Sequence, residues 1–294
     1  MKLQGIFAAI ATPFDYKGDL YATKIQHNVE KWNQASLAGY LVCASAGEGV
    51  LLTAEEKMRV WEMVAKHAAP ERLLLADATA EGVRESAALA NEAARLGYHA
   101  AVCGVPHHYK TTLHGAEAQM LYYRAVADQS KIPVIIYNAP PYVGVDVSSE
   151  TIAALSHHPN IAGAIENGTP AARLRQIAQG ARKGFQLLTG SASGVWEALR
   201  AGAHGAAISF ASAAPYSAIA IWEAFRSREE DAGLDWQARI AHPSVLVTDL
   251  YGVPGLKYAM DLNGYYGGPP RLPLSIPATE ARREIEEAFR DLKG

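Results

Sequence analysis

Between Lys131 and Lys183 the 294-residue chain contains no lysine. That gap removes from its middle the side chain that most readily forms imines with carbonyl compounds. Cysteine is almost as scarce: Cys43 and Cys103 are the only two. Each sits inside an apolar run, so they read as buried, reduced thiols and exclude a disulfide framework. There is no surplus of basic charge. A net charge of −3 gives no footprint for nucleic acid or for an anionic membrane surface. Long hydrophobic runs are missing too. The first apolar stretch ends at Thr12-Pro13, too short to cross a bilayer, and the single early Lys2 makes a poor signal peptide. A soluble, cytoplasmic protein is expected. No glycine-rich dinucleotide fingerprint follows the first strand-like run, which counts against an open dinucleotide-binding sheet.

What is present is a regular alternation. With 49% hydrophobic and 19% charged residues the chain can build one large domain. Nearly continuous apolar runs at 5–13, 39–44, 73–78, 100–105, 133–139, 161–166, 185–190 and 206–210 read as strands buried on both faces. Between them lie amphipathic helix candidates, such as 53–67, with Glu55 and Glu56 in its first turn, 83–96 and 116–128. Gly39, Gly97 and Gly202 fall at helix-to-strand junctions, where a left-handed cap is useful. Strand–helix units repeated in this way predict an α/β fold, a (β/α)8 TIM barrel over residues 1–226. A C-terminal helical extension over 227–294, of about three helices, is expected to pack on the barrel or on a partner subunit. Function in such barrels sits at the C-terminal strand ends. That singles out residues 12, 45–48, 77–79, 107–110, 137–142, 165–167, 190–193 and 210–212.

At those ends the sequence resembles the dihydrodipicolinate synthase / N-acetylneuraminate lyase family, over nearly the whole chain. Ala44-Ser45-Ala46-Gly47-Glu48 is similar to that family's Gly-Thr-Thr-Gly-Glu turn, and Tyr137-Asn138-Ala139-Pro140, with Gly144 beyond it, to its Tyr-Asn-x-Pro motif. Leu188-Thr189-Gly190, the run 201–205 and the run 269–274 fit later landmarks. The resemblance implies a barrel that binds a 2-oxo acid. In the family a strand-six lysine forms the Schiff base, a strand-five tyrosine and a strand-two hydroxyl relay protons, and amides of the strand-two turn hold the carboxylate. It further implies self-association as a homodimer or homotetramer. Carried onto this chain, Tyr137 and Ser45 take the relay positions, and the amides around Ala46 and Gly47 take the carboxylate.

The departures cluster in the same place. Ile165 occupies the position of the Schiff-base lysine, and an alkyl side chain cannot attack a carbonyl. Tyr142 stands where dihydrodipicolinate synthases carry an arginine for the second substrate. His107-His108 replaces a tyrosine pair, Ala46 lacks the second hydroxyl of its motif, and Ser191-Ala192 replaces an acidic pair of some relatives. The expected site therefore comprises Ser45, Ala46, Gly47, Tyr137, Ile165, Gly190, His107 and Tyr142, with His108 as a third proton-transfer candidate beside Tyr137 and Ser45.

Each has a plainer reading. Tyr137 and Ser45 could be hydrogen-bonded barrel residues, and His107 and His108 loop residues at a pocket or subunit contact. Adjacent histidines rarely chelate one ion, and no acidic residue stands at ligand spacing, so no metal and no cofactor are expected. Asp77 and Glu166 could be bases or buried hydrogen-bond partners. Glu48 reads as structural. Among lysines, Lys110 lies in a mouth loop, Lys183 on the opposite face, and Lys257 reads as a surface or packing residue of the tail. Three functions follow: a lyase-like enzyme binding a small carboxylate without Schiff-base chemistry, a non-catalytic binding or regulatory barrel, and a class I aldolase with a displaced lysine.

Overall fold

The computed structural model describes residues 1–168 and 171–292. Eight parallel strands close into a barrel in sequence order: β1 (Gly5–Ala9), β2 (Gly39–Val42), β3 (Leu73–Asp77), β4 (Ala100–Gly104), β5 (Val134–Asn138), β6 (Ile161–Glu166), β7 (Gln186–Thr189) and β8 (Gly205–Ile208), with β8 returning to pair with β1. The (β/α)8 barrel expected from the apolar runs is the fold. The strands are buried on both faces because helices cover the outside and side chains fill the centre.

The first seven covering helices are α1 (Ala22–Trp32), α2 (Ala54–His67), α3 (Val83–Arg95), α4 (Ala116–Gln129), α5 (Ser149–Leu155), α6 (Ala171–Gly180) and α7 (Val195–Arg200). The eighth, α8 (Pro215–Ser227), starts with a proline at its first position, where the missing N–H costs nothing. Helix α2 begins with a full capping box. Thr53 Oγ1 accepts the Glu56 N–H at 3.2 Å, and the Glu56 carboxylate accepts the Thr53 N–H at 2.9 Å. Gly97 and Gly202 do adopt positive φ, at 84° and 103°. Gly39 does not. It opens β2, where a Cβ would lie 1.9 Å from the Leu73 carbonyl oxygen, so its glycine serves close strand packing rather than a cap.

Three further helices follow, α9 (Glu230–Val245), α10 (Gly252–Leu262) and α11 (Thr279–Ala288). Pro243 inside α9 deletes one helical hydrogen bond, and the chain widens into a π turn at Leu246–Leu250 just beyond it. The segment between α10 and α11 comes back to the barrel. Asn28 on α1 exchanges two hydrogen bonds with the Tyr266 backbone, at 2.8 and 2.7 Å. Arg271 grips α2 through two bonds of 2.7 Å to the Glu56 carboxylate, and it also donates to the Gly18 and Leu51 carbonyls. These contacts fasten the tail to the loop that follows β2.

Candidate active site at the barrel mouth

The loop after β2 is built as a small cradle. Ser45–Gly47 forms a single 3-10 turn, so its leading amides point out of the turn without acceptors inside it. Thr12, at the end of β1, donates its hydroxyl to the Gly47 carbonyl at 2.7 Å and holds the turn against the barrel. Glu48 ends the turn in the left-handed region, φ 55°. That conformation swings its carboxylate away from the mouth and into the protein. There it meets the Lys257 ammonium at 2.5 Å and accepts the Arg271 N–H at 2.7 Å. Lys257, read from sequence as a surface or packing residue, is instead 1% exposed and half of a buried ion pair, with a further bond to the Pro269 carbonyl at 3.0 Å. Burial pulls its pKa down, and Glu48 opposes that pull.

Across the barrel, Tyr137 near the end of β5 lies in register with Ile165 on β6, which in turn pairs with Leu188 on β7. Asn167 follows the last residue of β6, and its side chain reaches the hydroxyl of Tyr137, the register partner of Ile165. Ile165 is fully covered, at 0% exposure. Above it a polar cluster converges. The Tyr137 and Ser45 hydroxyls are 3.2 Å apart, and Asn167 donates its side-chain amide to the Tyr137 hydroxyl at 3.3 Å. Gly190 makes room for this arrangement, because a Cβ there would stand 3.0 Å from that of Asn167. Burial pushes the Tyr137 phenol up to about 12, against the hydrogen bonds it shares with Ser45 and Asn167. At neutral pH it is a proton donor, not a phenolate. Tyr142, half exposed at the rim, is also pushed up by burial and countered by the Asn167 amide.

The other candidates are committed elsewhere. One Glu81 oxygen accepts both the His107 and His108 backbone N–H groups at 3.0 Å, and the other lies 3.1 Å from His107 Nδ1. His108 itself is exposed, its ring set edge-on to Tyr109. The structure thus brings together Ser45, Tyr137, Ile165 and Gly190, and leaves His107 and His108 on a loop organised by Glu81. Asp77 is buried, accepts the Thr79 N–H at 2.9 Å, and has its pKa raised by burial, with Lys57 opposing. Glu166 is buried in a pair with Arg173 at 2.9 Å and near Asn138 at 3.2 Å. Both carboxylates have the character of buried hydrogen-bond partners. The Lys110 ammonium lies against Gly144, 3.1 Å from where a Cβ would stand. Asn167 was legible as a strand-end residue but carried no assigned role. Its signal is a polar side chain two positions after Ile165. No group of metal-binding side chains occurs among the described residues.

A closed parallel barrel with an amide cradle at one strand end and a tyrosine–serine pair across its mouth defines a (β/α)8 protein whose candidate site lies at the C-terminal strand ends. The chain belongs to the dihydrodipicolinate synthetase family, whose profile matches residues 2–292. It is 30% identical over 241 residues to 4-hydroxy-tetrahydrodipicolinate synthase of Xanthomonas axonopodis pv. citri, covering 82% of this chain and 79% of that one. The Exiguobacterium sibiricum enzyme of the same name is 27% identical over 292 residues, covering 99% and 98%. Among solved structures, dihydrodipicolinate synthase from Bacillus anthracis superposes with a TM-score of 0.93 at 21% identity, covering 99% of this chain and 98% of that one. A prophage protein of the family from E. coli K12, solved in complex with pyruvate, gives 0.92 at 22% identity, covering 99% of both chains. The Acinetobacter baumannii enzyme complexed with pyruvate gives 0.92 at 24% identity, also covering 99% of both.

Proposed function

We propose that the protein binds a small 2-oxo acid or related carboxylate non-covalently at the barrel mouth, and that any lyase-like chemistry there proceeds without a Schiff base. The observation that carries this reading is the register of Tyr137 with Ile165, beneath a polar cluster that remains oriented. Ile165 takes the place of the family's lysine, while the cradle around Ala46 and Gly47 keeps donors suited to a carboxylate. Two relatives of the same fold were solved with pyruvate, which supports that ligand class. Tyr142 in place of an arginine argues against dihydrodipicolinate synthesis itself. Tyr137, neutral because it is buried, and Ser45 would pass a proton to or from the ligand's carbonyl oxygen.

A second reading, a binding or regulatory barrel without turnover, is favoured by one feature. The mouth's carboxylates, Asp77 and Glu166, are already engaged, so neither is a free base. Proton–deuterium exchange at the pyruvate methyl group separates the two: exchange above the uncatalysed rate supports the enzyme, and binding without exchange supports the binding protein. The displaced-lysine reading is weakened by the burial and pairing of Lys257. Incubation with pyruvate and borohydride, followed by intact-mass analysis, tests the whole proposal. An unlabelled protein that still binds pyruvate agrees with it, and an adduct on Lys110 would sink it. A cytoplasmic homodimer or homotetramer, with neither nucleic acid nor membrane as partner, completes the proposal.

A further inference from the structure

Asn167, Tyr137 and Ser45 form a hydrogen-bond chain whose direction is set at one end. An amide nitrogen carries two hydrogens and no available lone pair, so Asn167 Nδ2 can only donate to the Tyr137 oxygen 3.3 Å away. The Tyr137 proton must then find another acceptor, because leaving a partly buried hydroxyl hydrogen unpaired is costly. Among the described residues the second hydrogen-bond neighbour of that hydroxyl is Ser45 Oγ, at 3.2 Å. Tyr137 therefore donates to Ser45, and the Ser45 hydrogen is released toward the mouth. The leading amides of the 45–47 turn likewise carry hydrogens that find no acceptor inside the turn. The Ser45 hydroxyl and the leading amides of the turn are thus its hydrogen donors for a ligand.

We propose that Asn167 is a specificity-determining positioning residue, directing the Ser45 hydroxyl outward so that the mouth accepts small acids with a hydrogen-bond acceptor at C2, the 2-oxo acids, and rejects the corresponding 2-amino acids. The proposal rests on the mouth being the ligand site. A carboxylate would take the turn amides and a C2 oxygen would take the Ser45 hydrogen. An ammonium at C2 would bring hydrogens against a hydrogen. Tyr137 stays neutral over the relevant pH range because it is buried, so the chain keeps its full set of protons.

Replacing the amide by a carboxylate of the same shape reverses the chain. In Asn167→Asp the new group accepts from Tyr137, Tyr137 accepts from Ser45, and a Ser45 lone pair faces the mouth. The test is calorimetric titration of wild type and Asn167→Asp at neutral pH, with pyruvate and free L-alanine as probes. The wild type is expected to bind pyruvate and not L-alanine. The variant is expected to lose pyruvate affinity by about tenfold or more, the scale of one hydrogen bond turned from favourable to opposed, and to gain measurable L-alanine binding. Wild-type pyruvate affinity in the variant, or equal uptake of both acids by the wild type, overturns the proposal.

A wild type that takes up no pyruvate refutes the proposed ligand site, and the direction of the chain is then read without ligand. 3,5-Difluorotyrosine is placed at position 137 and its phenol titrated by fluorine NMR, with and without Asn167→Ala. Removal of a donor raises the phenol pKa. An unchanged or lowered value shows that Asn167 was not donating, and the inference fails. Thermal melts of both variants confirm that they are folded.

Discussion

The Lys257 ammonium and the Glu48 carboxylate meet at 2.5 Å with neither side chain open to solvent. Phe14 is shared between this ion pair and its neighbour: the Lys257 ammonium lies 4.5 Å from its ring centre and the Arg271 guanidinium 4.4 Å. A buried pair of this kind adds little over an apolar pair, but removing one partner strands the other charge. Lys257→Met is therefore expected to lower unfolding free energy by about 3–5 kcal/mol. The double variant Glu48→Gln with Lys257→Met should recover much of that loss. Urea denaturation of the three proteins checks it. A double variant no more stable than the single one would mean that the pair is not the source of the effect.

Position 165 is where an added amine tests the proposed loss of Schiff-base chemistry. Ile165→Lys would place a lysine opposite Tyr137, in a setting that depresses its pKa and leaves a reactive neutral amine. The expected result is a borohydride-trapped pyruvate adduct mapping to that position, with none on the wild type. A folded variant that binds pyruvate yet gives no adduct would show that a lysine at this position is not sufficient for imine formation.

Tyr137→Phe removes the centre of the polar cluster while keeping the ring that covers the barrel interior. Pyruvate affinity is expected to fall by about tenfold, in line with the loss of one well-placed hydroxyl. Because the ring remains, the change in unfolding free energy should stay within about 1.5 kcal/mol. Calorimetry and denaturation, run on the same preparation, separate the two effects. An unchanged affinity would take Tyr137 out of the ligand site.

The strap between Arg271 and Glu56 makes a pH prediction. Hydrogen bonds from Arg271 are the main cause that holds the Glu56 carboxyl below the ordinary range. A carboxylate depressed on folding contributes stability that is fully present above the unfolded value of about 4.3 and is lost as pH falls through the folded value. The melting temperature should therefore decline more steeply below about pH 4.3 in the wild type than in Glu56→Gln. Parallel curves for the two proteins would remove this pair from the acid transition.

The barrel was legible because each strand is a nearly continuous apolar run, separated from the next by an amphipathic helix pattern, with a capping box at Thr53 marking one helix start. The candidate site was legible only where backbone supplies the donors, in the turn at Ser45–Gly47, or where a motif stands at a strand end, as at Tyr137. What was hidden depends on partners far apart in sequence. Nothing near Lys257 announces that Glu48 will face it, although one lysine among Leu256, Ala259 and Met260 on an apolar helix was a usable hint. His158 likewise meets Asp128, at 3.0 Å, a partner distant in sequence. Asn167 becomes informative only once β5 and β6 are in register and its amide is seen to reach the Tyr137 hydroxyl.

The strap from the tail holds the β2 loop from behind, through Glu48 and Glu56, while the face that meets a ligand is made of backbone amides and a few hydroxyls. Shape and reactivity are thereby underwritten by different residues. On the proposed reading, a lineage built this way would lose its nucleophile and keep its receptor, because the residues that fix the loop's shape are not those that would do the chemistry.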